Sequence, residues 1–277
     1  MSLDIRPMSA ADATIAIGWA KSEGWNPGSA DLDPFLAEDP EGFLMGWLGD
    51  EPVASISVVR YGRDYGFLGF YIVVPECRGE GHGIAIWREG MARLAGRTVG
   101  LDGVVSQQAN YAKSGFVLAH RNIRFGGEVR CEVPRDPRLH GPAGHAAIQD
   151  FDRAFFPAPR KRFLRAWLSQ PGHVVRTLVD GGAITGYGVL RPCAEGSKIG
   201  PLFAAREADA ELLFRALCAE AAPGPVFIDP PEPNGAALRL AEGFGLTPSF
   251  ETARMYRGAA PGLPLAHIFG ITSFELG

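Results

Sequence analysis

The stretch Ile72 to Ile84, IVVPECRGEGHGI, decides how this chain is read. Tyr71, Ile72, Val73 and Val74 carry the aromatic and β-branched side chains that suit a buried strand, and Pro75 ends the ladder by removing an N–H. Gly79, Gly81 and Gly83 let the backbone take positive φ and leave no Cβ in a ligand's path. Trp87, Met91 and Leu94 recur beyond them at helical spacing. Strand, glycine turn and helix start in that order aim unpaired amides outward. With the helix N-terminus carrying the equivalent of about half a positive charge, those amides suit a diphosphate, and Arg78 adds a charged donor.

A Walker loop would need Lys and then Ser or Thr around its last glycine, whereas Gly83 here precedes Ile84 and Ala85. A dinucleotide fingerprint would need G-x-G-x-x-G, but the three glycines fall at every second position. The pattern present is R-x-x-G-x-G behind V-x-P, if the count runs from Arg78 through Gly81 and Gly83, and it resembles the acetyl-coenzyme A loop of the GNAT family of N-acetyltransferases. Two further segments resemble the same family. IRPMSAADATIAIGWAKSEGW gives a short strand, a capping Ser9 and a helix; NYAKSGFVLAHRNIRF places Tyr111 four residues before Gly115-Phe116. The order of elements follows the family over residues 1 to about 127. One departure is that Val104 and Gln107 stand seven and four residues before the tyrosine, where members often have Asn and Ala.

The resemblance implies a set of roles. Ile72, Val73 and Val74 would pair along the pantetheine arm, with the N–H of Val73 or Val74 at the thioester oxygen; Arg78, Gly79, Glu80, Gly81, His82, Gly83 and Ile84 would hold the diphosphate. Tyr111 would protonate the departing thiolate. A base is harder to name, because FLGFYIVV has no acidic residue where relatives often place Glu. Glu23 and Asp102 are the candidates, although a carboxylate in such a place is more often solvated or capping. Trp25, Asn26, Tyr61 and Tyr65 are candidates to line the acceptor pocket, or to pack.

The 277 residues exceed the usual size of one core, and 46% hydrophobic content fills two. A formal net charge of −4 leaves no basic excess for a nucleic-acid backbone. No apolar run reaches about 18 residues, and MSLDIRPMSA has neither a basic nor an apolar signal region, so no membrane association and a cytoplasmic location are expected. Cys77, Cys131, Cys193 and Cys218 lack metal-ligand spacing, so no metal is expected. Cys77 as a nucleophile would have only His82 nearby as a base.

VPRDPRLHGPAGHA is rich in breakers and places a boundary near Arg135, giving segments 1–134 and 135–277. Beyond it IQDFDRAFF and RKRFLRAWL read as helices, HVVRTLVDGGAITGYGVLRP as a hairpin, and ELLFRALCAEA, VFID and GAALRLAEGFG as helix, strand and helix. Asn234, Ala237 and Leu240 stand seven, four and one residues before Ala241, and Gly245 four after it, which resembles the GNAT helix with alanine at the acid's position. Between KIGPLFA and ELLF the chain reads AREADA, without glycine.

The fold expected is therefore α/β (α+β): two tandem GNAT-like domains, each a mixed, mostly antiparallel twisted sheet flanked by helices, the second degenerate as in bacterial tandem acetyltransferases. The resemblance implies one active site, in the first half, that moves an acetyl group from acetyl-CoA to a primary amine of a small molecule by direct attack. A non-catalytic acyl-CoA sensor and a protein N-acetyltransferase are the alternatives. The second half would close the acceptor cleft, through Asp152 to Arg165 and the segment IFGITSFELG; a homodimer is compatible with the sequence.

Overall fold

The computed structural model describes residues 3–277. β1 (Asp4–Pro7) leads into α1 (Ala10–Ser22) through a reciprocal cap: Asp12 N–H donates to Ser9 Oγ at 3.2 Å and Ser9 N–H to Asp12 Oδ2 at 2.9 Å. After α2 (Leu32–Glu38) come three antiparallel strands, β2 (Phe43–Leu48), β3 (Glu51–Tyr61) and β4 (Tyr65–Val73). α3 (His82–Arg93) then crosses to β5 (Thr98–Val104), parallel to β4, and α4 (Gln108–Lys113) leads to β6 (Val117–Gly127).

The second half repeats this order. It runs β7 (Leu139–His140), α5 (His145–Asp152), α6 (Lys161–Leu168), β8 (Val174–Asp180), β9 (Ala183–Pro192), β10 (Ser197–Ala204), α7 (Glu207–Cys218), β11 (Val226–Ile228), α8 (Gly235–Gly243), β12 (Thr247–Arg257) and β13 (Ile268–Gly270). β10 and β11 are parallel, as β4 and β5 are.

The strands form one sheet in the order β1-β2-β3-β4-β5-β12-β6-β11-β10-β9-β8-β7, with β13 attached to β10. The two halves exchange a strand. β6 follows β5 along the chain but lies between β12 and β11; β12 follows β11 but lies between β5 and β6. A matching buried ion pair crosses each seam. Arg254 of β12 grips Asp102 of β5 at 2.8 and 2.6 Å, and Arg124 of β6 grips Asp229, next after β11, at 2.8 Å through both nitrogens.

Three cores flank the sheet. α3 and α4 cover one face of the first half, with Ile86, Trp87, Met91 and Leu94 buried; α7 and α8 do the same for the second. On the opposite face both halves share a core. Phe35 of α2 stacks on Phe163 and Trp167 of α6, and α6 buries Phe163, Leu164, Trp167 and Leu168, side chains worth about 1.5–3 kcal/mol each when fully buried. This shared core also takes in Phe274 and Leu276.

β4 departs from strict alternation where the site lies. Phe67 faces the shared core and Leu68 the α3 side, but Phe70 and Ile72 face the shared core again while Tyr71 and Val73 face α3. The pairing with β3 slips between Ser57↔Gly69 and Ser55↔Ile72, and Phe70 sits at φ 46°. This is a β-bulge holding a non-glycine residue in the left-handed region, a strained state that needs its surroundings to persist.

Candidate active site

The bulge opens the site. β4 pairs with β5 from Tyr65↔Thr98 to Leu68↔Leu101 and no further, so the two parallel strands part and leave a cleft of about 570 Å³ between them. Val74 N–H donates to Val53 C=O on β3 at 3.0 Å, and strand alternation therefore turns the Val73 N–H and C=O away from β3, toward the cleft. Arg78 Nε donates to that Val73 carbonyl at 2.9 Å, which fixes its direction independently. The Val74 amide is thus spent inside the sheet, and of the two amides expected at a thioester oxygen only that of Val73 is available.

Beyond Pro75 a 3-10 turn carries the chain to Arg78, and Gly79 (φ 83°) and Gly81 (φ 89°) turn it into α3. The first backbone bond into the helix runs from Ala85 N–H to Gly81 C=O, so the amides of His82, Gly83 and Ile84 lie ahead of the helical ladder. A Cβ on Gly79 or Gly81 would meet nothing within 4 Å, whereas one on Gly83 would stand 2.8 Å from the Tyr71 hydroxyl. The turn is open outward and tight against β4. Arg78 is held by Glu23 at the end of α1, so the candidate base and the candidate phosphate ligand form one exposed ion pair at the cleft edge.

Tyr111 enters from α4, its ring stacked on Trp87 at 5.7 Å and seated over Gly103, where a Cβ would come within 2.1 Å of it. Among the described residues none accepts its proton or donates to its oxygen. Burial, and secondarily the neighbouring Tyr71, push its pKa above the ordinary phenol value. The hydroxyl therefore stays protonated at neutral pH and faces the cleft as a proton donor.

Several expected residues lie elsewhere or do other work. Tyr61 and Tyr65 are not pocket loops: they face each other across the β3–β4 hairpin, buried against Phe156, because both point to the shared core. Asn26, at φ 49°, exchanges hydrogen bonds with the Glu195 backbone and pins the two halves together outside the cleft. Asp102 borders the cleft, but its oxygens are taken by Arg254 and by Asn122 Nδ2 at 2.7 Å, so it braces the seam and is no free base. Glu80 and His82 face each other at 3.2 Å away from the cleft lining, and the Cys77 thiol is pushed up by burial and by Glu80, Glu51 and Glu76, which removes the basis for a thiolate. Trp25 and Glu23 do line the cleft, as do Ile72, Val73, Arg78, Gly79, Gly81, Gly83 and Ile84.

Of the two segments expected to close the cleft from the second half, IFGITSFELG does line it, whereas Asp152 to Arg165 pack in the shared core instead; the contribution of β12 was not foreseen. Phe250 and Thr252 of β12 and Phe274 and Glu275 reach the cleft from the second half. Glu275 and Leu276 lie on the first half's sheet: a Cβ on Gly69 would come within 2.3 Å of the Glu275 carbonyl, and Tyr61 Oη donates to Leu276 C=O at 3.1 Å, while from the second half Arg160 Nη1 donates to Thr272 Oγ1 at 2.9 Å. Tyr61 is thus a clamp on this segment. The bare Gly69, between two large apolar residues, was the one local hint of a close backbone approach.

Comparison with known proteins agrees with this architecture. Residues 12–116 match the model of the acetyltransferase (GNAT) family, and residues 148–270 that of an acetyltransferase (GNAT) domain. The holothin acyltransferase of Pseudoalteromonas sp. (strain SANK 73390) is 33% identical over 275 residues, 98% of this chain and 94% of that protein. Among solved structures, a putative acetyltransferase from Pyrococcus horikoshii superposes with a TM-score of 0.85 at 22% identity, over 99% of this chain and 96% of that one. A tandem GNAT protein from the clavulanic acid biosynthesis pathway gives 0.64 at 17% identity, over 94% and 100%. With two GNAT domains in one chain and a relative alike over nearly its whole length, the protein is an acyltransferase of the GNAT family.

Proposed function

We propose that this acyltransferase moves an acetyl group from acetyl-CoA to the primary amine of a small molecule by direct attack. The observation that carries the reading is the pair of unengaged donors in one cleft, the Val73 N–H and the Tyr111 hydroxyl, at the point where β4 leaves β5. The Val73 amide is placed to stabilise the charge that builds on a thioester oxygen, and Tyr111 to protonate sulfur as it leaves. Gly79 to Ile84 offer open backbone donors at a helix start, the arrangement a diphosphate needs, and Arg78 supplies a guanidinium once it lets go of Glu23. Bound acetyl-CoA would supply an acyl group already activated as a thioester; the protein has to orient it, exclude water and handle protons.

The acceptor side favours a small molecule over a peptide. Phe250, Thr252, Phe274 and Glu275 wall the cleft from the second half, so the acceptor side is bordered by both halves. The Pseudoalteromonas relative is named a holothin acyltransferase, and holothin belongs among the first acceptors tried here. The test is release of free thiol from acetyl-CoA with a panel of amines, beside calorimetry of acetyl-CoA alone. Amine-dependent release with 1:1 binding supports the reading. Binding without turnover on any amine overturns it.

A further inference from the structure

Among the described residues of the cleft, Glu275 is the acid whose condition the roles above leave unexplained. It is 3% exposed and lines the cleft, yet among the described residues no group donates a hydrogen bond to its carboxylate, and Oε1 is sealed from solvent. A buried carboxylate left unpaired is costly, and other buried acids of this protein are paired: Asp102 with Arg254, Asp229 with Arg124, Asp152 with Arg160. Its main chain is held rigidly. The Glu275 carbonyl lies against bare Gly69 beside the β4 bulge, and Leu276 is fixed on both sides, its N–H to Ser273 Oγ at 3.1 Å and its C=O by Tyr61.

Resting on the acyl-transfer reading, we propose that Glu275 is the general base of this enzyme, receiving the ammonium of an amine whose body is apolar and largely aromatic. The rings of Trp25, Phe250 and Phe274 line the same cleft, and they set the character of that body. Gly69 shares its wall with Ile72 and Val73, so the Glu275 main chain lies along the strand that carries the unengaged amide, and Glu275 lines the cleft beside it. Burial raises the Glu275 pKa above the usual carboxylate range; Lys198, Arg124 and Arg191 pull it down and Asp31 pushes it up. Those cations are already committed, Lys198 to Asn26 C=O, Arg124 to Asp229 and Arg191 to Asp31. A base somewhat stronger than an ordinary carboxylate is better matched to an ammonium.

The step balances as follows in protons and electrons. Glu275 takes one proton from the ammonium, leaving the nitrogen lone pair free to form the C–N bond. The C–S bonding pair departs on sulfur, and Tyr111 gives sulfur its proton. A second proton leaves nitrogen as the amide forms and, through solvent, restores Tyr111, while Glu275 returns its own proton to water.

The test compares wild type with Glu275→Gln and Glu275→Asp, using thiol release from acetyl-CoA with benzylamine, phenethylamine and tryptamine. At pH 7 the Gln variant should lose about 100-fold in kcat, a typical general-base contribution. That loss should shrink as pH rises toward the amine's own pKa near 10, where the acceptor arrives already neutral. In the wild type the acid limb of kcat/KM should sit above the ordinary carboxylate range, and it should vanish in the Gln variant. Acetyl-CoA affinity should stay within twofold, and the melting temperature of the Gln variant should equal or exceed the wild type's, since an unpaired buried charge has gone. The Asp variant, one methylene short, should keep the acid limb at reduced kcat. A Gln variant as fast as wild type, or one slowed equally at every pH, overturns the role of Glu275 and leaves the acetyltransfer reading standing. Wild-type protein that releases no thiol with any amine overturns both.

Discussion

The β4–α3 junction and the β10–α7 junction are the same piece of architecture used in opposite ways. In the first half β4 parts from β5 after Leu68 and the gap stays open; in the second, β10 parts from β11 after Ile199↔Ile228 and β13 fills the gap, pairing Leu202↔Gly270 and Phe203↔Ile268. The helix starts differ in the same sense. α3 begins behind Gly81 with bare amides, whereas α7 begins behind Arg206 with Glu207 and Asp209 in its first turn, and Asp209 is gripped by Arg206 and Arg138. The second copy carries carboxylates of its own at this helix start, which would repel the ligand the first copy is open to.

Substitutions at the two junctions should therefore diverge. Gly81→Val places a β-branched side chain at φ 89° and turns the cradle amides; acetyl-CoA affinity by calorimetry should fall at least 100-fold, about 2.7 kcal/mol. Glu207→Gln at the other helix start should leave that affinity within twofold. An equal effect from both would break the contrast. Tyr111→Phe should keep acetyl-CoA binding within twofold but lower kcat about 100-fold by steady-state assay. Because burial raises the Tyr111 pKa, the acid stays protonated as pH climbs, and wild-type kcat should show no alkaline fall from this group up to about pH 10.

The filled gap is tested by stability. Phe269→Ala removes a buried ring from β13 and should cost about 3–5 kcal/mol in denaturant unfolding while the folded protein keeps its acetyl-CoA affinity. The smallest effect is expected at the cleft edge. Glu23→Gln releases Arg78 from an exposed ion pair worth under about 1 kcal/mol, so acetyl-CoA should bind up to about fivefold more tightly. Weaker binding instead would make Glu23 part of the diphosphate site's support.

What the sequence revealed followed from local chemistry. The glycine turn, the Ser9 cap, the Tyr111–Gly115–Phe116 spacing and the glycine-free turn of the second half are all short-range patterns, and each stands where its residues placed it. The strand exchange was not readable that way, because β6 has the same composition whichever sheet receives it. A trace of it was present: TVGLDG and PVFIDP each put an aspartate near the end of a strand, and NIR and TAR each put an arginine in the strand after the last helix of its half. Taken together these four residues announce the two braces, and with them Asp102 would have been set aside as a base. The segment IFGITSFELG was expected at the cleft, but the part played by Glu275 lay beyond such reasoning, since some 200 residues of chain separate it from the strand it rests on, and only packing brings them together.

The traded strands have a consequence for how this molecule can change over generations. A repeated gene segment is normally dispensable once one copy does the work, yet here excising residues 136–277 would strip β12 from between β5 and β6 and leave two long hydrogen-bonding edges bare. The copy whose own junction is filled by β13 is held in place by its neighbour's need for it. Mutation is free to erode its chemistry, but recombination cannot discard its backbone, and the pair is inherited as one indivisible unit.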